Sequence, residues 1–140
     1  MIFISKPEKF EPDFEATGCF CENNGKILLL QRASRDKFGG FWGLPSGKIE
    51  KNETPYQAML RELKEETGVQ KPDIEFFKKI YVQYNGTQFT YYIFSTKFEK
   101  EKIKLIEQEH QDYCWISPKN ALNLKLIHHL DDCIRLFYQI

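Results

Sequence analysis

Apolar and polar positions along the chain fall into distinct runs, and turn residues mark the boundaries between them. Ala16 to Glu22 reads as a strand that ends at Asn23-Asn24-Gly25-Lys26, where the Asn-Gly pair favours a hairpin. Ile27-Leu28-Leu29-Leu30-Gln31-Arg32 opens as a continuous apolar run, as expected of a strand buried on both faces. A polar, glycine-bearing loop from Ala33 to Gly40 follows. Ile74 to Tyr84 and Thr87 to Phe98 are aromatic and β-branched, and Asn85-Gly86 between them is a second hairpin signal. Tyr113 to Ile116 predicts a last short strand before Ser117-Pro118. No linker, low-complexity tract or internal repeat interrupts the pattern.

The central helix is marked at both ends. Thr54 is placed to cap it, Pro55 suits its first position, and Gln57 completes a capping box. Gly68 suits the left-handed residue that closes a helix. Tyr56, Met59, Leu60 and Leu63 form a contiguous apolar face, turned away from an acidic one. The helix is therefore expected to bury one side and present carboxylates on the other. A second helix is expected from about Leu124 to Tyr138, with Leu126, Ile127, Leu130, Ile134 and Phe137 as its buried stripe. Together these elements predict an α/β fold, a mixed sheet packed against helices.

The acidic face carries the chemistry. Glu62, Glu65 and Glu66 share it, with Glu65 and Glu66 about 60° to one side and 40° to the other of Glu62. Like charges at this spacing cost a few tenths of a kcal/mol per pair, and a divalent cation is the natural compensation. Magnesium prefers oxygen ligands and typically joins one or two carboxylates to substrate phosphates. Arg61 is placed to pair with Glu65 four residues on.

From Gly47 the chain reads Gly, five residues, Glu53, seven residues, then Arg61-Glu62-Leu63-Lys64-Glu65-Glu66-Thr67-Gly68-Val69. This fits the Nudix box, G-x5-E-x7-R-E-U-x-E-E-x-G-U with U aliphatic, at every fixed position. The lead-in Phe41-Trp42-Gly43-Leu44-Pro45-Ser46 also resembles the segment that opens the box in Nudix hydrolases; Ser46 departs from it where many members carry a second glycine. The likeness extends over roughly residues 14–136. It implies a Nudix α/β/α sandwich with the mixed sheet between helices, the box forming a loop–helix–loop at the edge of a cleft. It also implies a Mg²⁺-dependent hydrolase, with Mn²⁺ as a substitute, that cuts a diphosphate linkage. Glu62, Glu65, Glu66 and the backbone carbonyl of Ser46 match metal-binding positions, with Glu62 alternatively the general base. Glu53 matches a supporting outer carboxylate and Arg61 an orienting arginine, while Gly47 lets backbone approach the metal.

Outside the box, Glu107 and Glu109 are candidates for a further acid, and Glu109 occupies the position of the additional glutamate in MutT-like relatives. Arg32 resembles their phosphate-contacting arginine; Arg35 and Lys37 are secondary candidates. Trp42, Tyr91 and Trp115 could stack on a base, Trp115 foremost because it follows Glu109. His110 reads as a loop residue, and His128 and His129 as surface positions opening the last helix.

Composition narrows the partners. Net charge is zero and the pI near 6.8, which argues against a protein that coats polyanions. Met1-Ile2-Phe3-Ile4 is too short for a signal segment or a membrane span, so a cytoplasmic protein is expected. Cys19, Cys21, Cys114 and Cys133 form no CxxC or zinc pattern, and Cys19 and Cys21 fit one face of a strand as small apolar residues. The expectation is a single domain over 1–140 with a small-molecule nucleotide partner, no membrane and no stable nucleic acid; a homodimer stays open. A MutT-like nucleoside triphosphate pyrophosphohydrolase is the leading reading. Dinucleoside polyphosphate hydrolases are next, because Glu109 to Trp115 resembles their Glu-His-x-x-Tyr-x-Trp. Nucleotide-sugar hydrolases, a non-cleaving nucleotide- or RNA-binding Nudix module and isopentenyl diphosphate isomerase fit less well. The complete box argues against the module, and the absence of a cysteine near the box argues against the isomerase.

Overall fold

Both Asn-Gly pairs close hairpins. Asn24 and Gly25 take φ of 51° and 75°, and Asn85 and Gly86 take 46° and 80°. A two-residue hairpin turn of this hand needs positive φ at both positions, which asparagine and glycine supply at low cost. The computed structural model describes residues 1–105 and 109–140. In chain order the elements are β1 (Ile2–Phe3), β2 (Phe14–Asn23), β3 (Lys26–Arg32), β4 (Trp42–Gly43), β5 (Ser46–Lys48) and α1 (Pro55–Thr67). There follow β6 (Glu75–Tyr84), β7 (Thr87–Lys97), β8 (His110–Ile116), α2 (Pro118–Ala121) and α3 (Leu130–Tyr138).

The strands form one mixed sheet in the order β1-β6-β7-β2-β3-β4, with β5 added on β2 and β8 on β3. β2 and β7 run parallel and the other pairs antiparallel. β2 divides its partners: Ala16 to Gly18 pair with β5, and Glu22 and Asn23 with β3. That division leaves the Ser46–Lys48 segment at a sheet edge, beside α1.

Alternation along the strands sorts the core into two layers. Cys19, Cys21, Leu28 and Leu30 pack with Met59 and Leu63 of α1. Phe20, Leu29, Ile80, Val82 and Ile93 pack with Leu130, Cys133 and Ile134 of α3. The sheet thus lies between helices, as an α/β/α sandwich. Leu63 is fully buried, and Leu63→Ala would cost about 2–5 kcal/mol. All four cysteines are free thiols. Among the described residues no helix is long and apolar enough to cross a membrane.

Two expectations are corrected, for the last helix and for Tyr56, and one element was not foreseen. The last helix begins at Leu130, not near Leu124. Lys125 to Ile127 instead run extended against Trp42, whose N–H donates to the Lys125 carbonyl at 2.8 Å while its own carbonyl accepts from Ile127 at 2.8 Å. His129 at φ 75° separates this segment from the helix. Apolar residues at helical spacing therefore belong here to a strand-like segment and a helix in succession. Tyr56 is 47% exposed and touches the core only edge-on at Phe94. The amino terminus, read only as too short for targeting, is an edge strand on β6.

Candidate active site

Helix α1 begins and ends as its sequence dictates. The Thr54 hydroxyl accepts from the Gln57 N–H, the Gln57 side chain returns to the Thr54 N–H, and Gly68 takes φ 78°. Thr67 and Gly68 close the helix, so the three carboxylates fall in its last two turns. The acidic side is not a solvated face: Glu62 is 9% and Glu66 2% exposed, both covered by β5. A Cβ at Gly47 would collide with the Glu62 carboxylate, so glycine is required for this approach. The Ser46 N–H donates to Glu66 Oε1 at 3.0 Å. Gly18 faces Ser46 in the β2–β5 ladder, and Cys19 donates to the Pro45 carbonyl. Because the Ser46 N–H is aimed at Glu66, the Ser46 carbonyl points away from β2 as well, toward the same carboxylate side.

Arg61 organises the cluster. Its Nε and one terminal nitrogen grip Glu53 in a fork at 2.7 and 2.9 Å. The other terminal nitrogen donates to Glu62 at 2.7 Å and Glu65 at 3.3 Å, while the terminal nitrogen that grips Glu53 also donates to the Lys48 carbonyl at 3.1 Å. The pairing expected with Glu65 is present, but Glu53 is the principal partner. The Glu53 carboxyl is also held by the Glu50 N–H at 2.9 Å. Arg61 hydrogen bonds hold Glu53 below the usual carboxylate range and raise the arginine in turn. Glu62 moves the other way: burial pushes its carboxyl up, against the pull of Arg61. Its carboxyl lies in hydrogen-bonding reach of Glu66. Two buried carboxyls this close, with a backbone carbonyl aimed beside them, form an oxygen donor set suited to a hard divalent cation.

On the other side of Ser46 lies a cavity of about 210 Å³ lined by Arg32, Ser46, Tyr91, His110 and His129, with Phe38, Leu44 and Phe89 among its apolar walls. Arg32 and His110 meet across β3 and β8 where the register slips. Such bulges re-aim side chains near functional sites. Arg32 pairs with Asp36 at 2.8 Å, and its buried Nε has no hydrogen-bond partner among the described residues. The same holds for the buried Nδ1 of His110. Burial, then the Arg32 charge, lowers His110 to about 4. Burial, then the positive amino terminus, lowers His129 to about 4 as well. Both rings are neutral at neutral pH and can offer either donor or acceptor. A larger hollow of about 770 Å³, between residues 69–75 and 95–102, contains none of these groups.

Most of the residues singled out in the sequence converge on this place: Ser46, Gly47, Glu53, Arg61, Glu62, Glu65 and Glu66 on the loop and helix, and Arg32 and Tyr91 in the cavity wall. Trp115 does not. It pairs with Leu28, packs edge-on against Phe98 in the α1 layer, and donates its indole N–H to the Glu101 carbonyl at 2.5 Å. Its strand parity turns it away from the cavity, which corrects the stacking expectation. Trp42 packs against the α3 layer instead. Glu109 is exposed in the turn before β8, where its carbonyl accepts from the Ala33 N–H at 2.8 Å. Glu107 lies outside the described residues. Reading His110 as a loop residue is corrected: it opens β8 and is 9% exposed. His128 is stacked on Tyr84 at 3.9 Å between ring centres, not a plain helix-surface residue. The strand at β8 begins earlier than its apolar residues suggest, so His110 carried no local signal beyond its neighbour Glu109.

The geometry agrees with what known proteins share with this chain. Residues 13–137 match the family model described as NUDIX domain. An 8-oxo-dGTP diphosphatase from Proteus vulgaris is 48% identical over 54 residues, a stretch covering 39% of this chain and 48% of that protein. A CTP pyrophosphohydrolase from Escherichia coli K12 is 31% identical over 112 residues, covering 80% of this chain and 82% of that protein. The crystal structure of a MutT protein from Methanosarcina mazei Go1 superposes with TM-score 0.80 at 25% identity, covering 92% and 95% of the two chains. On the family match and the complete box, this chain belongs to the Nudix family.

Proposed function

We propose that the chain is a Mg²⁺-dependent pyrophosphohydrolase acting on nucleoside triphosphates in the cytoplasm. One observation carries the reading: Ser46 joins a buried carboxylate pair, Glu62 and Glu66, to a small cavity with a cationic corner. Glu62, Glu65, Glu66 and the Ser46 carbonyl would hold the cation. Mg²⁺ held there, or Mn²⁺ in its place, would supply charge neutralisation for a diphosphate and would make a bound water more acidic.

The protein's own groups do the rest. Arg61 holds Glu53, Glu62 and Glu65 in register, so the carboxylates need no rearrangement. Glu62, whose carboxyl burial pushes up, is the alternative candidate for the group that takes a proton in place of holding the cation. Glu109, beside the cavity corner, is the candidate for a further acid. Arg32, whose buried Nε has no partner among the described residues, is suited to a phosphate oxygen. Phe38, Phe89, Tyr91 and neutral His129 supply apolar walls and one adaptable polar edge for a base. A cavity of about 210 Å³ suits one ring system rather than a dinucleotide. The names of the relatives, an 8-oxo-dGTP diphosphatase and a CTP pyrophosphohydrolase, support a mononucleotide substrate.

The test is a product screen over nucleoside triphosphates, nucleotide sugars, ADP-ribose and diadenosine tetraphosphate with Mg²⁺ or Mn²⁺. The expected result is preferred release of pyrophosphate from a triphosphate, abolished by EDTA. Preference for diadenosine tetraphosphate or a nucleotide sugar would overturn the substrate assignment, and EDTA-resistant hydrolysis would overturn the metal.

A further inference from the structure

We infer that Asp36 is a positioning residue for Arg32 and for the Phe38 wall of the cavity, acting through the two oxygens of one carboxylate. The inference rests on the proposed role of Arg32 in meeting a phosphate oxygen. Residues 32–41 form a closed loop: the Arg32 N–H donates to the Phe41 carbonyl at 2.9 Å, and the Gly40 N–H donates to the Arg32 carbonyl at 3.0 Å. Within it the Asp36 N–H donates to the Ala33 carbonyl and the Gly39 N–H to the Asp36 carbonyl, each at 2.9 Å. A Cβ at Gly39 would collide with the Ser34 carbonyl, so only glycine lets the loop close this tightly. Asp36 Oδ1 accepts from the Phe38 N–H at 3.0 Å, and Oδ2 accepts from a terminal nitrogen of Arg32 at 2.8 Å. The first contact fixes the carboxylate inside its own turn. The second passes that rigidity to the guanidinium.

Asp36 orders the arginine without taking its whole fork, since the buried Nε has no hydrogen-bond partner among the described residues. Ordering a free arginine side chain costs free energy on binding, and Asp36 orders this one before a ligand arrives. Its negative charge works against an incoming phosphate. The Arg32 and Asp36 side chains are 29% and 22% exposed, however, so water screens that repulsion, while the direction of the guanidinium is a local effect that screening leaves intact. Ordering therefore outweighs repulsion. Phe38 is held at its peptide by Asp36 and at its ring by an edge-on contact with His128, and it lines the same cavity as Arg32. One carboxylate thus sets both the phosphate contact and an apolar wall. The Phe38 N–H foremost, with Arg32 assisting against partial burial, holds the Asp36 carboxyl below the usual carboxylate range.

The experiment compares the wild type with Asp36→Asn, Asp36→Ala, Arg32→Ala and the double variant Asp36→Asn with Arg32→Ala. Asparagine keeps an oxygen for the Phe38 N–H but turns a donor toward Arg32. Asp36→Asn should raise KM for the preferred triphosphate about 3- to 5-fold at constant kcat, the loss of one net hydrogen bond. The inhibition constant of inorganic tripolyphosphate, which has no base, should rise by the same factor. Without any nucleotide, ¹⁵N relaxation of the Arg32 Nε–H should give a lower order parameter in Asp36→Asn than in the wild type. In the Arg32→Ala background Asp36→Asn should change nothing further, because it acts through that arginine. Asp36→Ala, which also frees the Phe38 peptide, should raise the nucleotide KM beyond Asp36→Asn but leave tripolyphosphate at the Asp36→Asn value. An unchanged or lowered KM in Asp36→Asn, an unchanged order parameter, or an equal rise of KM in the Arg32→Ala background would overturn the inference. Equal nucleotide KM in Asp36→Ala and Asp36→Asn would overturn its Phe38 half. Should Asp36→Asn fold poorly, Asp36→Ser, whose hydroxyl can still accept from the Phe38 N–H, must show the same losses, and their absence also overturns it. Unchanged KM in Arg32→Ala would overturn the phosphate role of Arg32 itself, an outcome read from that variant alone.

Discussion

Two arginines flank the site, and their surroundings are opposite. Arg61 is saturated: Glu53, Glu62, Glu65 and the Lys48 carbonyl all accept from it within 3.3 Å. Arg32 has Asp36 as its ion-pair partner and keeps a buried Nε without one among the described residues. A saturated guanidinium is a structural pin, since any ligand would have to displace hydrogen bonds already made. An arginine with a buried, unpartnered donor is suited to receive an oxygen from elsewhere. Under the proposed function, the difference separates a part of the site that is assembled in advance from a part that a substrate would complete.

The largest effect expected from this division is on the carboxylates of α1 beside the pinned Arg61. Glu66→Gln keeps an oxygen for the Ser46 N–H but removes the charge, so kcat should fall by about 10²–10⁴ with little change in melting temperature. Glu62→Gln and Glu65→Gln should behave alike. Wild-type turnover in all three would leave the acidic face with no catalytic part.

Removing the pin should be felt as stability. Arg61→Ala strands the buried Glu62 beside Glu66, and the cost should be about 3 kcal/mol, or roughly 10 °C in melting temperature. Calorimetry showing no loss would mean the network is decorative. Trp115→Ala belongs on the same side of the comparison despite its place in the sequence. It should lower stability by about 2 kcal/mol through lost packing and leave KM unchanged. A raised KM with intact stability would restore its stacking role.

Arg32→Ala should do the reverse, raising KM about 10-fold at nearly constant melting temperature, the loss expected for one charge-assisted contact. A large loss of stability with unaltered KM would make Arg32 a second pin. The smallest effect is a slope with pH. His110 and His129, held near 4 in the fold, titrate near 6.5 when unfolded. The unfolded chain therefore binds more protons between about 6.5 and 4, and stability falls as pH drops through that window. Melting temperature followed from pH 7.5 to 5 should decline. The slope should flatten in His129→Gln, and an equal slope there would place the titration elsewhere.

The pinned half of the site was legible in the sequence because it is local. Thr54, Gln57, Gly68 and the glutamate spacing state a helix, its ends and its charged face within one short segment. What spacing could not state is that Glu62 and Glu66 are buried, because β5 covers them only through pairing with β2, far back in the chain. The cavity half was nearly illegible for the same reason. His110 meets Arg32 through a register slip between β3 and β8, and the Tyr91 phenol lies against Gly18, the cross-strand partner of Ser46. Trp115 was misjudged because proximity to Glu109 in sequence says nothing of strand parity. The last helix was drawn too long because Leu126 and Ile127 share helical spacing with Leu130 while bonding to Trp42 as extended chain.

Under the proposed function, a cation and a nucleotide meet at Ser46. Paramagnetic broadening of backbone amide resonances by substoichiometric Mn²⁺ reads out that location. Broadening centred on Ser46, Gly47, Glu62, Glu65 and Glu66, and lost in Glu66→Gln, is the expected result. Broadening centred elsewhere, for example on the open hollow around Lys71 and Asp73, or unchanged broadening in Glu66→Gln, would overturn the proposed cation site.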